Sequence, residues 1–347
     1  MTACWYRPKM SWGVDGEAAM KNDSSCEWPG TYMSFVQEMR ESGVPSGSVP
    51  PRQVVESTSL EYPESLPLSF SRGVLFGTLG FVSMGFLYGT SKGVSISGID
   101  VLERHLPGSR KIFASREDMK EKPPVITVSN HVSVLDEPVM MSVLSGPGRL
   151  LRPSTMRWTL CAQEITHVND AFASFFGLAK GLPILRGASL YQVGMKVFAD
   201  KLFLKNSWLH IFPEGRCWEP PKYKIGGDHP HLRRGVGALV AAAETTPVII
   251  PVVHRGMEKV KPRDERGKSG ALRFPERITI KVGEPVDVSD LLAAHPDRYR
   301  NVKGAEGYEG WAQPRAARDL ELYNAITKRI EVALRKLEKE IDEEERE

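Results

Sequence analysis

Of the eight histidines in the chain, only His131 has an aspartate five residues on, at Asp136. On a regular helix, five residues turn about 500°, which would leave the two side chains roughly 140° apart. They can meet only across a bend. The sequence supplies one: the β-branched run Val125-Ile126-Thr127-Val128 ends near Asn130, and Glu137-Pro138 suits the first turn of a helix. A histidine held by an aspartate at a strand-to-helix junction can act as a general base, with Asp136 fixing the tautomer and stabilising the imidazolium. The same residues also suit a polar junction in which both side chains merely cap the next helix.

Other strand ends carry chemistry of a second kind. Gly181 to Gly187 reads as a short strand ending in Arg186, and Trp208 to Phe212 as a strand followed at once by Pro213-Glu214-Gly215-Arg216. Guanidinium forks match phosphate oxygens, so arginines gathered beside a His-Asp pair would place an anion site next to a base. Each arginine taken singly is an ordinary surface charge. Gly89-Thr90-Ser91-Lys92-Gly93 fits a nucleophile-elbow pattern around Ser91, but that elbow needs a strand before the serine and a helix after it. A strand-like run follows instead. His229-Pro230-His231 lacks an acid or cysteine at zinc spacing, and the four cysteines show no pairing pattern, so no metal or cofactor is expected.

Positioning these groups requires alternating elements. Helices are expected at Ile99–Leu106, from Val139 to Leu144, up to Leu178, within Tyr191–Leu204 and at Gly235–Ala243. Further strands are expected at Pro247–Val253 and Ile278–Gly283. Leu150 to Ala162, with Arg149, Arg152 and Arg157 around Trp158, reads as a headgroup-facing segment or an amphipathic helix. Strands alternating with helices predict an α/β fold with a largely parallel central sheet, whose ligands gather outside the carboxyl ends of the strands.

The ends differ from this body. Residues 1–60 are rich in Ser, Gly, Pro and acid and read as disordered. Residues 61–92 form an apolar membrane-associating segment: from Gly73 to Gly89 there is no charge, at the short edge of a bilayer span, which fits a buried helix or a membrane-inserting hairpin. Residues 93–290 are expected to form the α/β body, and 291–347 a C-terminal amphipathic helix with a solvated acidic tail. The net charge of +3 is too small to argue for nucleic acid, and 41% hydrophobic residues support a real core. Residues 1–60 hold five Lys/Arg against seven Asp/Glu, and residues 328–347 six against eight, leaving a mildly basic body suited to an anionic membrane face.

With these residues in view, the chain resembles the glycerolipid acyltransferases. Asn130-His131-Val132-Ser133-Val134-Leu135-Asp136 is similar to their N-H-x-S-x-x-D motif, Gly181 to Arg186 to their second block, Phe212-Pro213-Glu214-Gly215 to their third, and Val248 to Val253 to their fourth. Arg157-Trp158-Thr159, Tyr191 to Met195, Arg234 to Gly237 and Pro251 to Met257 look like the tafazzin branch. Val132, Glu137 and Arg216 depart from its usual Gln, Asp and Lys. The likeness covers roughly residues 65–290. It implies a membrane-associated acyltransferase that moves acyl chains between phospholipids and lysophospholipids without coenzyme A, remodelling cardiolipin at a mitochondrial membrane. It implies His131 as base, Asp136 as its orienting partner, and Arg186 and Arg216, with the turn at Glu214-Gly215, as holders of the glycerol phosphate. Glu214 would bind a glycerol hydroxyl or orient an arginine. The alternatives are an acyl-CoA-dependent lysophospholipid acyltransferase and a serine hydrolase using Ser91. Oligomeric state is left open.

Overall fold

A computed structural model of the chain describes residues 66–186, 193–203, 205–218, 225, 232–262, 270–273, 276–298 and 317–346. The expectations for residues 1–60 and for His229 and His231 fall outside these residues.

The core is a seven-stranded sheet in the order β1-β7-β6-β2-β5-β3-β4. The strands are β1 (Gly93–Ser97), β2 (Val125–Ser129), β3 (Trp158–Ala162), β4 (Gly181–Ile184), β5 (Trp208–Ile211), β6 (Val248–Arg255) and β7 (Arg277–Val282). Only the β6–β7 pair is antiparallel. The expected largely parallel sheet is therefore the one observed. β2 lies between β5 and β6, and all five of its residues are buried. A parallel strand covered on both faces needs a continuous apolar and β-branched run, and Val125 to Val128 supply it. One face of the sheet is covered by α4 (Gly235–Ala242) and by α5 (Ala317–Glu344). The long helix buries Leu322, Ile326, Ile330, Leu334, Leu337 and Ile341, the stripe expected from the sequence. Its acidic end is not simply solvated. Glu338, Asp342 and Glu345 surround Arg255 at the end of β6, and Glu340 and Glu344 hold Lys281 on β7.

The opposite face carries α2 (Ile99–His105) and α3 (Met141–Leu150). α3 kinks at Gly146, whose φ is 67°, and then continues to Leu150 instead of ending there. Pro147 has no N–H to offer the preceding turn. The Arg110 guanidinium supplies the missing donor, reaching the carbonyls of Val143 and Leu144.

The segment read as an amphipathic helix is instead a short turn and β3. Pro153 opens the turn, and Trp158-Thr159-Leu160-Cys161 pairs with β5 and β4. Two of its three arginines point inward, Arg149 buried against Glu103 and Arg157 against Glu137, while Arg152 is half-buried.

Helix α1 (Leu66–Thr90) extends well before the uncharged stretch and is one continuous helix, not a hairpin. At 25 residues it is about 37 Å long. Among the described residues it is the one helix long and apolar enough to cross a membrane by length and composition. Its glycines explain how it docks. Gly73, Gly77 and Gly80 share one face, against Pro153, Leu151 and Leu150. A Cβ at Gly80 would lie 2.5 Å from both Leu150 methyl carbons, so only glycine permits this approach without a shift. Arg72 is buried on the same helix, donates to Gly177 O at 3.3 Å and lies 5.2 Å from the Trp158 ring centre. Leu66, Phe70, Val74, Phe81, Val82 and Tyr88 remain exposed.

Candidate active site

The bend between β2 and α3 brings His131 and Asp136 together. After Asn130 the chain turns through Val132 to Leu135, and a single π-helical turn at Asp136–Met140 leads into α3. His131 Nδ1 lies 2.9 Å from Asp136 Oδ2. The same oxygen accepts the backbone N–H of Val132 at 2.7 Å and of Ser133 at 2.9 Å. Asp136 thus closes its own loop as well as holding the imidazole. Its side chain is fully buried, whereas that of His131 is 23% exposed. A carboxylate can only accept, so Nδ1 carries the proton and Nε2 keeps its lone pair. That is the tautomer a general base requires.

Aromatic and main-chain contacts fix the ring further. His131 stacks on Phe212 at 4.2 Å between ring centres, and His210 stands nearly perpendicular to the same Phe212 at 4.5 Å between ring centres. His210 is fully buried, with Thr127 Oγ1 2.8 Å from Nδ1 and Ser129 Oγ 3.3 Å from Nε2. Burial, then the charge of Arg157, hold its pKa well below the usual histidine range, so it stays neutral.

The next strand contributes directly. β5 runs parallel to β2, so the turn after it arrives at His131. Glu214 Oε2 accepts the His131 N–H at 2.9 Å. The His131 carbonyl accepts the N–H of Trp218 at 2.7 Å. The turn itself closes with Gly215 N donating to Phe212 O at 3.2 Å, and Gly215 has φ 74°. That left-handed conformation is why a glycine stands there. Arg216 is exposed, its guanidinium 4.9 Å from the Trp218 ring centre, and Arg233 lies over the Gly215 turn.

The structure therefore joins His131, Asp136, Glu214, Gly215 and Arg216 at the ends of two adjacent strands. Arg186 stands apart. It follows β4, which is separated from β2 by β5 and β3, roughly 14 Å across the sheet. Its guanidinium pairs with Glu164. Glu214 was expected to meet a glycerol hydroxyl or an arginine; here one of its oxygens holds main chain. Ser91 follows α1 and precedes β1, the reverse of the order a nucleophile elbow needs. Among the described residues no group of three or more His, Cys, Asp or Glu side chains is arranged to hold a metal.

Two contributors escaped the sequence reading. Arg233 carries no local signal. His254, at the end of β6, lies 3.7 Å from Asp136 Oδ2 and donates from Nε2 to Asn130 O at 3.0 Å. Only the strand order, which sets β6 beside β2, reveals it.

Residues 111–255 match the family model described as Acyltransferase. A protein from Arabidopsis thaliana named N-acylphosphatidylethanolamine synthase is 36% identical over 168 residues, 47% of this chain and 56% of that one. The Taffazin of Dictyostelium discoideum is 35% identical over 208 residues, 59% of this chain and 66% of the other. The Tafazzin of Drosophila melanogaster is 30% identical over 169 residues, 49% of this chain and 42% of the other. The matched regions thus span less than two thirds of the length of each of these relatives, by a narrow margin for the Dictyostelium protein.

Proposed function

We propose, from the premise that residues 111–255 of this chain are an acyltransferase domain, that it moves fatty acyl chains between phospholipids and lysophospholipids at a membrane. The observation that carries the reading is the His131–Asp136 pair, with Nδ1–H committed to a buried carboxylate and Nε2 left on the more exposed side chain. In the first step His131 Nε2 takes the proton of a lysophospholipid hydroxyl as its oxygen attacks the carbonyl carbon of an acyl ester. Asp136 stabilises the imidazolium that results. The tetrahedral intermediate then expels the donor's glycerol oxygen, which takes the proton back from Nε2. Acyl group and proton simply change places, so no cofactor enters the balance. Arg216 supports a phosphate site beside the base, and Arg186 would serve a more distant part of a large lipid.

The exposed apolar face of α1 supports membrane association. Because its glycine face is packed along the domain, the helix would lie in one leaflet and bring the strand ends to the headgroup layer. The tafazzin names among the relatives support cardiolipin remodelling in mitochondria as the setting. The relative named N-acylphosphatidylethanolamine synthase favours a second acceptor, the primary amine of phosphatidylethanolamine, which the same base would deprotonate.

The experiment uses the purified full chain in liposomes, with lysophospholipid as acceptor. Acyl-labelled phospholipid and labelled acyl-CoA are offered as donors in separate reactions. Label passing from phospholipid to lysophospholipid without coenzyme A is the expected result. Transfer from acyl-CoA alone would replace this reading by the CoA-dependent one, and label on the amine would identify the second acceptor.

A further inference from the structure

We propose that His254 is a positioning residue for His131, an inference that rests on the acyl-transfer reading above. The peptide joining Asn130 to His131 is held at both ends. Its carbonyl accepts from His254 Nε2 at 3.0 Å, and its N–H donates to Glu214 Oε2 at 2.9 Å. The next carbonyl, that of His131, is held by Trp218 N at 2.7 Å. The main chain on either side of the base is thus anchored by groups from β6, from the turn after β5 and from the segment beyond it.

The link between His254 and Asn130 is reciprocal. The Asn130 amide donates to the His254 carbonyl at 2.9 Å and accepts the His254 N–H at 3.0 Å. The side chain of each residue therefore holds the main chain of the other. Since the group facing His254 Nε2 is a carbonyl, that nitrogen carries the proton. The same N–H is 3.7 Å from Asp136 Oδ2, which His131 Nδ1 meets at 2.9 Å. Two imidazoles face one carboxylate, one of them reaching outward and the other fully buried. His254 Nδ1 has no hydrogen-bond partner among the described residues. A phenylalanine would fill the same space without that orphan nitrogen; what it would lack is the Nε2–H donor. The geometry assigns that donor to the Asn130 carbonyl. His254 itself is too deeply buried to touch a lipid, so it acts through His131.

The test uses three variants of the full chain. His254→Phe keeps the ring and removes the donor. His254→Gln places an amide N–H where Nε2 stood, and His254→Asn places one where Nδ1 stood. Misplacement of a catalytic group by about 1 Å costs on the order of a hundredfold in rate. We therefore expect kcat to fall at least about tenfold in the Phe and Asn variants with KM nearly unchanged, and to recover in the Gln variant. A second readout is independent of activity. With histidines labelled with ¹⁵N in micelles, the Nδ1–H signal that disappears in His131→Ala belongs to His131. It should persist in wild type and His254→Gln, and be lost to water exchange in His254→Phe. If His254→Phe keeps both the wild-type kcat and that signal, or if Gln is no better than Asn by either measure, His254 is not a positioning residue. If the wild-type chain transfers no acyl group, the functional reading falls, and the signal alone decides the role of His254.

Discussion

Replacing Asp136 by asparagine changes one atom and removes one charge. Asp136 Oδ2 accepts from Val132 N, Ser133 N and His131 Nδ1, while Oδ1 has no hydrogen-bond partner among the described residues. The asparagine oxygen must therefore take the Oδ2 position, because an NH₂ there would face three donors. Its NH₂ then occupies the buried Oδ1 position without an acceptor, a cost of about 1–3 kcal/mol in stability. His131 keeps its tautomer but loses its counter-ion when it becomes imidazolium. For charge centres about 4 Å apart at an effective dielectric near 20, that attraction is about 4 kcal/mol, or roughly a thousandfold in rate. The assay is the initial rate of acyl transfer in liposomes at saturating lysophospholipid, with a melting curve of each protein alongside. A folded Asp136→Asn protein should lose about three orders of magnitude in kcat, with KM changed little. A variant retaining more than about a tenth of the wild-type kcat would refute the ion-pair argument, and leave Asp136 as a cap for the loop at Val132-Ser133.

The other predictions address separate parts of the molecule. Val74→Asp together with Val82→Asp, on the exposed face of α1, should release the chain from liposomes in a sedimentation assay, since a charge in hydrocarbon costs about 2.5–3.5 kcal/mol on insertion scales. Full retention would move the attachment elsewhere, and the exposed Ile112 and Phe113 would be tested next. Arg216→Ala should raise KM for lysophospholipid more than Arg186→Ala, because Arg186 is paired with Glu164 and lies farther from His131; equal increases would contradict the placement of the phosphate site. His167 is buried, and desolvation lowers its pKa from 6.5 to about 4. Its contribution is fully present above the unfolded value and is lost as pH falls from 6.5 through 4, on the order of 3 kcal/mol. Melting temperatures across that window should therefore fall less steeply in His167→Asn than in wild type, and parallel curves would show that His167 is not buried in its neutral form.

Much of this arrangement was legible in the sequence because it is local. The run Val125 to Val128 has to be a buried strand, and a base five residues from its carboxylate has to be joined by a bend. Those conditions involve only neighbours in the chain, so spacing and residue type suffice. The apolar stripe from Leu322 to Ile341 is legible for the same reason, as it follows the period of one helix. Where burial by other elements decides, the sequence misleads. Leu150 to Ala162 has basic and apolar residues mixed as on a surface helix, yet Arg149 and Arg157 are internal, and Trp158 to Ala162 is a strand because β5 and β4 flank it. Arg186 and Arg216 look equivalent as strand ends, and only the strand order separates them. Glu214 and His254 stand 83 and 124 residues from the chain groups they hold. Glu214 is marked as a site residue by its own block, Phe212-Pro213-Glu214-Gly215, but neither its neighbours nor those of His254 tell which groups the two side chains hold. They meet the Asn130–His131 peptide because β5 and β6 pair on either side of β2, and hydrogen bonding between strands depends on the packing of the whole sheet.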